Sequence, residues 1–291
     1  MKRLRRTMLF MPGNNPGMLQ NAGILGADSI ILDLEDAVSL TEKDSARTLV
    51  REALKTIDYS QVEVVVRVNP MDSDFGSLDV DMIARVKPDT LLVPKADVEG
   101  IRLIDTMLDK IEAEEGFVVG CIKIIALIET AAGLENVSNV IRASRRVVGV
   151  LLGGEDLTSD LGIIRTKEGE EIFYARNKVA TACRALKVDS IDTPFTDTDD
   201  YEGLAKDTAK AKSLGLTGKS AINPRQIEVI HAEFAPTESE IKYALRILDA
   251  LEEANKEGKG VFSLDGKMID APVINRAETT VDLARRLGLL N

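Results

Sequence analysis

Eight short runs of mainly aliphatic and β-branched residues recur along the chain, most of them followed by a longer amphipathic stretch: TMLFMPG (7–13), SIILDLED (29–36), EVVVRVN (63–69), TLLVPK (90–95), IKIIALIET (122–130), VVGVLLGGED (147–156), VDSIDTPF (188–195) and TGKSAIN (217–223). Such runs have the length and composition of strands, and intervening segments such as GSLDVDMIARV, ADVEGIRLIDTMLDKIEAEEG and AGLENVSNVIRAS have the period of helices. Near-continuous apolar strands alternating with helices demand a parallel sheet covered on its outer face. Eight β/α units between residue 7 and about 235 predict a closed (β/α)8 TIM barrel. A doubly wound open sheet is the other reading, but PGNNPG after the first run lacks the G-x-G-x-x-G spacing of a pyrophosphate turn. The barrel is expected over residues 1–235. Residues 236–291 are expected to form a C-terminal helical extension, opening at Thr237 and Glu240 with the spacing of a capping box.

The 291 residues and 44% hydrophobic content supply enough apolar surface for a large core. A net charge of -11 argues against a nucleic-acid partner, which needs a basic face. No stretch approaches the ~20 apolar residues of a membrane span, and the basic start MKRLRRTMLFMPG has too short an apolar segment for a secretory signal, so a cytoplasmic protein without membrane association is expected. Cys121 and Cys183 are read as reduced core residues.

Catalytic groups of such barrels come from the C-terminal ends of the strands, and those positions are polar here. They hold Asp33, Glu35 and Asp36, then Arg67, Lys95, Glu129, Glu155 and Asp156, Asp192, and Asn223. Acids gathered at one mouth repel one another unless a cation sits among them, and oxygen-only ligands point to a hard ion. Magnesium fits, since it takes one or two carboxylates and leaves its remaining positions to water and substrate. Glu129 and Asp156, ending neighbouring runs with Gly153 and Gly154 between them, are the pair expected to bind it. The alternative for any such acid is a cap or a solvated loop charge. Zinc is disfavoured, because the single histidine, His231, lies on a late helix and reads as a surface or packing residue. Arg67 can grip a carboxylate through its planar fork, or it can form a buried salt bridge to Asp33, Glu35 or Asp36. With a metal holding the other end of a 2-oxo acid, aldol-type chemistry is indicated.

The motifs RTMLFMPG, LDLEDAV with EKDSAR, RVNP, LIETAAG, GGEDL, GKSAINPRQI, FAPT and GKMIDAPVINRA together resemble the citrate lyase β-subunits, within the superfamily of malyl-CoA lyases and HpcH/HpaI aldolases. RTKEGEEIFYAR, GKSAINPRQI and GKMIDAPVI carry the narrower likeness. GGED stands where such relatives often have GAED. The resemblance implies a lyase splitting a (3S)-citryl thioester, carried on the prosthetic group of an acyl carrier protein or on coenzyme A, into acetyl thioester and oxaloacetate. It makes Glu129 and Asp156 the magnesium ligands and has Arg67 hold oxaloacetate. Asp270 becomes an acid/base group donated by a neighbouring subunit on which the extension packs, and Glu35 and Asp36 stand as further catalytic candidates. Gly154, and Arg6 and Lys43 as residues of the mouth, would contact the thioester substrate. The implied partners are citrate lyase α and γ (acyl carrier) subunits, with the chain itself a trimer or hexamer. A stand-alone malyl-CoA or methylmalyl-CoA lyase or thioesterase would keep the same motifs, and a non-catalytic scaffold subunit could lose them.

Overall fold

Each of the eight expected runs contains one strand: β1 (Thr7–Pro12), β2 (Ser29–Asp33), β3 (Glu63–Arg67), β4 (Thr90–Val93), β5 (Lys123–Ile128), β6 (Val147–Leu152), β7 (Asp189–Asp192) and β8 (Gly218–Ala221). In the computed structural model, which describes residues 3–256 and 261–290, they pair in parallel and in chain order, and β8 returns to β1 through Thr7 opposite Lys219. The fold is therefore a closed (β/α)8 TIM barrel, with helices on its outer face. The chain divides into two compact units, Met1–His231 and Ala232–Asn291.

Strand side chains alternate between the barrel interior and the helical shell, and this period of two stacks the interior in layers. At the N-terminal end Glu63 accepts hydrogen bonds from Ser29 Oγ (2.7 Å) and Thr90 Oγ1 (3.0 Å), with Arg5 bridging it to Asp189. The middle is apolar: Met8, Ile31, Val65, Leu92, Ile125, Leu127, Leu151 and Ile191 form one buried cluster. Advancing two residues from that layer, on the same face, gives Phe10, Asp33, Arg67, Glu129, Gly153 and Thr193 at the C-terminal mouth.

Two sequence expectations need correction here. AGLENVSNVIRAS, expected as one helix, folds as two, Ala131–Glu135 and Val137–Arg142, because Asn136 leaves helical geometry (φ -103°, ψ 10°). Cys121 is only half-buried and donates to Glu112, whereas Cys183 is buried; neither is bridged.

In the C-terminal unit, Thr237 N–H donates to Glu240 Oε2 (2.7 Å) and Glu240 N–H donates to Thr237 Oγ1 (3.2 Å), the reciprocal bonds of a capping box that starts the helix Glu238–Lys256. A hairpin follows, β9 (Phe262–Leu264) and β10 (Lys267–Ile269), turning through Asp265 and Gly266, both at positive φ. Asp-Gly favours this two-residue turn because both positions need the left-handed region. The helix Ala271–Arg286 begins at Asp270, whose Oδ1 accepts the Val273 N–H, and packs on the first helix around Ala244, Ile247, Ile269, Ala277 and Val281. No helix among the described residues is long and apolar enough to cross a membrane.

Candidate active site

The mouth holds a cavity of about 360 Å³ lined by Phe10, Asp33, Asp36, Arg67, Glu129, Gly153, Gly154, Glu155, Asp156 and Thr193 among others. Arg67 closes one wall. Its Nε and Nη2 donate to the two oxygens of Asp33, both at 2.7 Å, while Nη1 lies 2.8 Å from Glu35 Oε2 and 3.2 Å from Asp36 Oδ2. Its guanidinium stacks 5.1 Å from the Phe10 ring. The buried salt bridge and the lining of the cavity are thus one arrangement. Asp33 spends its fork-facing edge on Arg67, which leaves Nη1 as the edge turned away from that pair.

Two of the acids here, Glu35 and Glu129, are held above their ordinary titration range. Burial lifts Glu35 to about 7, the charges of Asp36 and Asp33 adding to the rise and Arg67 opposing it. Glu35 Oε2 is buried with no hydrogen-bond donor aligned on it. Burial likewise lifts Glu129 to about 8; the Glu35 and Asp156 charges add to this, and the Lys95 N–H, donating to Glu129 Oε1 at 2.7 Å, opposes it. Lys95 adopts φ 46° to make that bond while its side chain stays exposed. Carboxylates that burial and mutual repulsion hold protonated are what a cation placed between them would ionise. Among the described residues no three His, Cys, Asp or Glu side chains close into a cage, while two carboxylates expected as ligands, Glu129 and Asp156, both line the cavity. That number suits a hard divalent ion whose other positions go to water and substrate.

The pair is spaced by glycines. Gly153 N–H donates to Ile128 O at 2.9 Å, and a Cβ on Gly153 would lie 2.7 Å from Glu129 Cβ. Gly154 N–H donates to Thr193 Oγ1 at 3.0 Å, and a Cβ there would meet that oxygen at 2.8 Å. Asp156 follows, exposed, in the first turn of the helix Gly154–Asp160. Gly153→Ala must displace Glu129 Cβ, an atom fixed to the backbone just after β5, whereas a Cβ on Gly154 meets the Thr193 hydroxyl first and Thr193 Cβ and Cγ2 only at 3.2 Å. Overpacking of this kind costs ~1–3 kcal/mol. Gly153→Ala is therefore expected to lower the thermal midpoint and turnover by more than Gly154→Ala, and the reverse order would show that the Glu129 contact does not govern the site.

Other candidates fall elsewhere. Lys43 is buried, and its ammonium donates to the Leu34 (2.9 Å) and Glu35 (2.7 Å) carbonyls, so it shapes the loop after β2 and does not line the cavity. Arg6 precedes β1, at the end of the barrel opposite the mouth, where it pairs with Asp28 at 2.7 Å; the expectation that it sits at the mouth does not hold. Asp192 faces the helical shell because it is out of phase with Ile191 and Thr193, and it pairs with Arg176 and Lys219. Asn223 caps its own turn, accepting the Arg225 N–H, and Glu155, though at the rim of the cavity, faces Arg165 at 3.5 Å. His231 contacts Thr7 Oγ1 at 2.8 Å, far along the strand from the acids. Asp270 lies in the C-terminal unit as a helix cap. Asp33, one of the three salt-bridge partners expected for Arg67, is the bidentate one, and Thr193 was passed over by the sequence reading. Counting in twos from the apolar layer finds both.

A parallel eight-stranded barrel with a clamped arginine and acids gathered in a cavity at the strand ends has the layout of a barrel enzyme, whose active site sits at that face. Residues 6–224 match the HpcH/HpaI aldolase/citrate lyase family. The citrate lyase subunit beta of Leuconostoc mesenteroides subsp. cremoris is 45% identical over 291 residues, 100% of this chain and 96% of that one. Two solved Mycobacterium tuberculosis structures are each 27% identical: protein CitE with magnesium, acetoacetate and coenzyme A (TM-score 0.82, covering 98% of this chain and 100% of that one), and a citrate lyase beta subunit with oxaloacetate and magnesium (TM-score 0.67, 80% and 98%). The chain belongs to the HpcH/HpaI aldolase/citrate lyase family and is a carbon–carbon lyase.

Proposed function

We propose that the protein cleaves a (3S)-citryl thioester, presented on an acyl carrier protein or coenzyme A, into acetyl thioester and oxaloacetate. The observation that carries this is the convergence of Arg67, Glu129 and Asp156 on one cavity at the strand ends. Glu129 and Asp156 would hold magnesium, which supplies a Lewis acid for the negative charge on the oxygen that becomes the keto group.

The chain's own groups account for the rest. Arg67, fixed by Asp33 and stacked on Phe10, would take a substrate carboxylate at Nη1 in exchange for Asp36, the exposed acid that Nη1 faces at 3.2 Å. Retro-Claisen cleavage needs a base for the tertiary hydroxyl proton. We assign this to Asp36, which lines the cavity, with Glu35, raised to about 7 by burial, standing behind it against Arg67. As the carbon–carbon bond breaks, its electrons pass into the thioester enolate, which then takes a proton to become acetyl thioester. We assign that second transfer to Asp270 of a neighbouring subunit. The helix Glu238–Lys256 spans about 28 Å at ~1.5 Å per residue, enough to carry the following hairpin beyond its own origin. A trimer or hexamer, associated in the cytoplasm with α and γ subunits, is part of the same proposal. The subunit naming of the citrate lyase relatives supports the multi-subunit part of it.

Purified protein given citryl-CoA and malyl-CoA in parallel is expected to release oxaloacetate from the first, to stop with chelator and to resume with Mg²⁺. Faster cleavage of malyl-CoA would make it a lyase of the sister type, and undiminished turnover by verified metal-free protein would refute the two-carboxylate site.

Asp270→Ala is expected to be nearly inactive yet to bind Mg²⁺ and oxaloacetate. Mixed under subunit exchange with inactive Glu129→Ala, it should regain part of the activity, because some sites then pair an intact barrel with an intact tail. Demonstrable exchange without complementation, or a fully active monomer, would rule out a shared site.

A further inference from the structure

Behind the mouth lies a buried polar group that takes no part in the reaction above, and it includes the lysine of the GKSAIN motif. Lys219 is fully buried, and its ammonium donates to Asp192 Oδ2 (2.7 Å), Asp207 Oδ2 (2.6 Å) and the Thr193 carbonyl (2.7 Å). Arg176, also fully buried, binds Asp192 through Nε and Nη2 (2.9 and 2.8 Å) and Asp207 through Nη2 (2.7 Å). Two cations thus balance two carboxylates, as buried charges require. The bond from Lys219 to the Thr193 carbonyl is the one that leaves this balanced group and reaches toward the cavity.

Thr193 is itself fully buried, and its Oγ1 accepts the Gly154 N–H at 3.0 Å. On the other side, Gly153 N–H is held by Ile128 O at 2.9 Å, the residue before Glu129. The Gly153-Gly154 turn is therefore pinned between the end of β5 and the end of β7, and Asp156 stands two residues beyond the second pin. If the β7 pin is released, Gly154 keeps a buried N–H with no acceptor and the turn is free to shift relative to Glu129.

We infer that Thr193, held in place by Lys219, is a positioning residue that sets Asp156 against Glu129 and thereby governs divalent-cation affinity. The inference rests on the magnesium reading of that pair. Hydrogen-bonding partners that orient a metal's ligands typically change affinity by ~10–100-fold when removed, and Thr193 does so through the backbone that carries the ligand.

Thr193→Val keeps the shape and removes the acceptor; Thr193→Ser restores it. Mn²⁺ binding to the full-length chain, followed by electron paramagnetic resonance without substrate, is expected to weaken about ten- to a hundredfold in Thr193→Val and to return close to wild type in Thr193→Ser. Turnover of Thr193→Val should recover at saturating Mg²⁺. An unchanged Mn²⁺ dissociation constant with a lowered thermal midpoint would overturn the inference and leave Thr193 as a packing residue. So would a serine variant no better than valine. A wild-type chain that binds no Mn²⁺ would overturn the metal reading itself, and this inference with it.

Discussion

Glu129→Gln is expected to keep the fold and lose citryl thioester cleavage by about a thousandfold or more, the ~4 kcal/mol scale of a missing Lewis acid. Fold should survive because a glutamine carbonyl can still accept the Lys95 N–H that Glu129 Oε1 accepts at 2.7 Å. The same substitution should change the pH dependence of stability in metal-free protein. Burial holds Glu129 at about 8, against an ordinary carboxylate value of 4.5. The folded chain therefore retains a proton that the unfolded chain releases, so the contribution of this group is fully present below about 4.5 and is lost as pH rises through about 8. Wild-type protein in chelator should accordingly melt at lower temperature as the pH is taken from 5 to 8. Glu129→Gln, neutral throughout, should lose part of that slope, keeping the part that Glu35 contributes by titrating near 7. Because a bound cation favours the ionised pair, Mg²⁺ affinity should climb over the same interval. Melting curves and Mg²⁺ titrations at pH 6 and 8 test both statements; wild-type turnover in Glu129→Gln would remove this carboxylate from the metal site, and an unaltered slope would remove its raised titration.

Arg67 gives the second large effect, and two substitutions separate its two duties. Lysine keeps the charge but cannot satisfy both oxygens of Asp33 and also face Glu35 and Asp36. Weakening of oxaloacetate binding and cleavage by ~2–5 kcal/mol is expected, roughly thirty- to several-thousandfold. Alanine leaves buried Asp33 and Glu35 without their cation, a lesion of ~3–5 kcal/mol when such a pair is broken. The loss of stability in Arg67→Ala should be largest near pH 8 and smaller near pH 5, where Glu35 can hold its proton at little cost. Should Arg67→Lys bind oxaloacetate and cleave normally while Arg67→Ala unfolds, Arg67 serves the fold alone.

The alternation of apolar runs and amphipathic segments determined a covered parallel sheet, because strands too apolar to face water must be packed on both sides; eight units, and no glycine fingerprint after the first, favoured the closed barrel over a doubly wound open sheet. The capping box at Thr237 and Glu240 was equally local: its donors and acceptors lie three residues apart, so spacing alone foretold the bonds. The polarity of strand ends also marked Arg67, Glu129 and Asp156, since a charged residue closing an apolar strand is out of keeping with its surroundings. Which of those ends share a cavity was decided by parity and pairing. Asp192 is as conspicuous in sequence as Asp33, yet one residue of phase turns it away from the mouth and into the hands of Arg176 and Lys219. Lys43 and Arg6 were out of reach for a similar reason: a lone basic residue near a strand carries no mark of whether it will meet substrate, backbone carbonyls or a partner acid. Their partners come from chain segments eight to twenty-two residues away, and only folding brings them together. The raised titration of Glu35 and Glu129 belongs wholly to the tertiary structure, because it arises from burial and from charges contributed by neighbouring strands, and a linear sequence specifies neither the loss of water nor the distance between those charges.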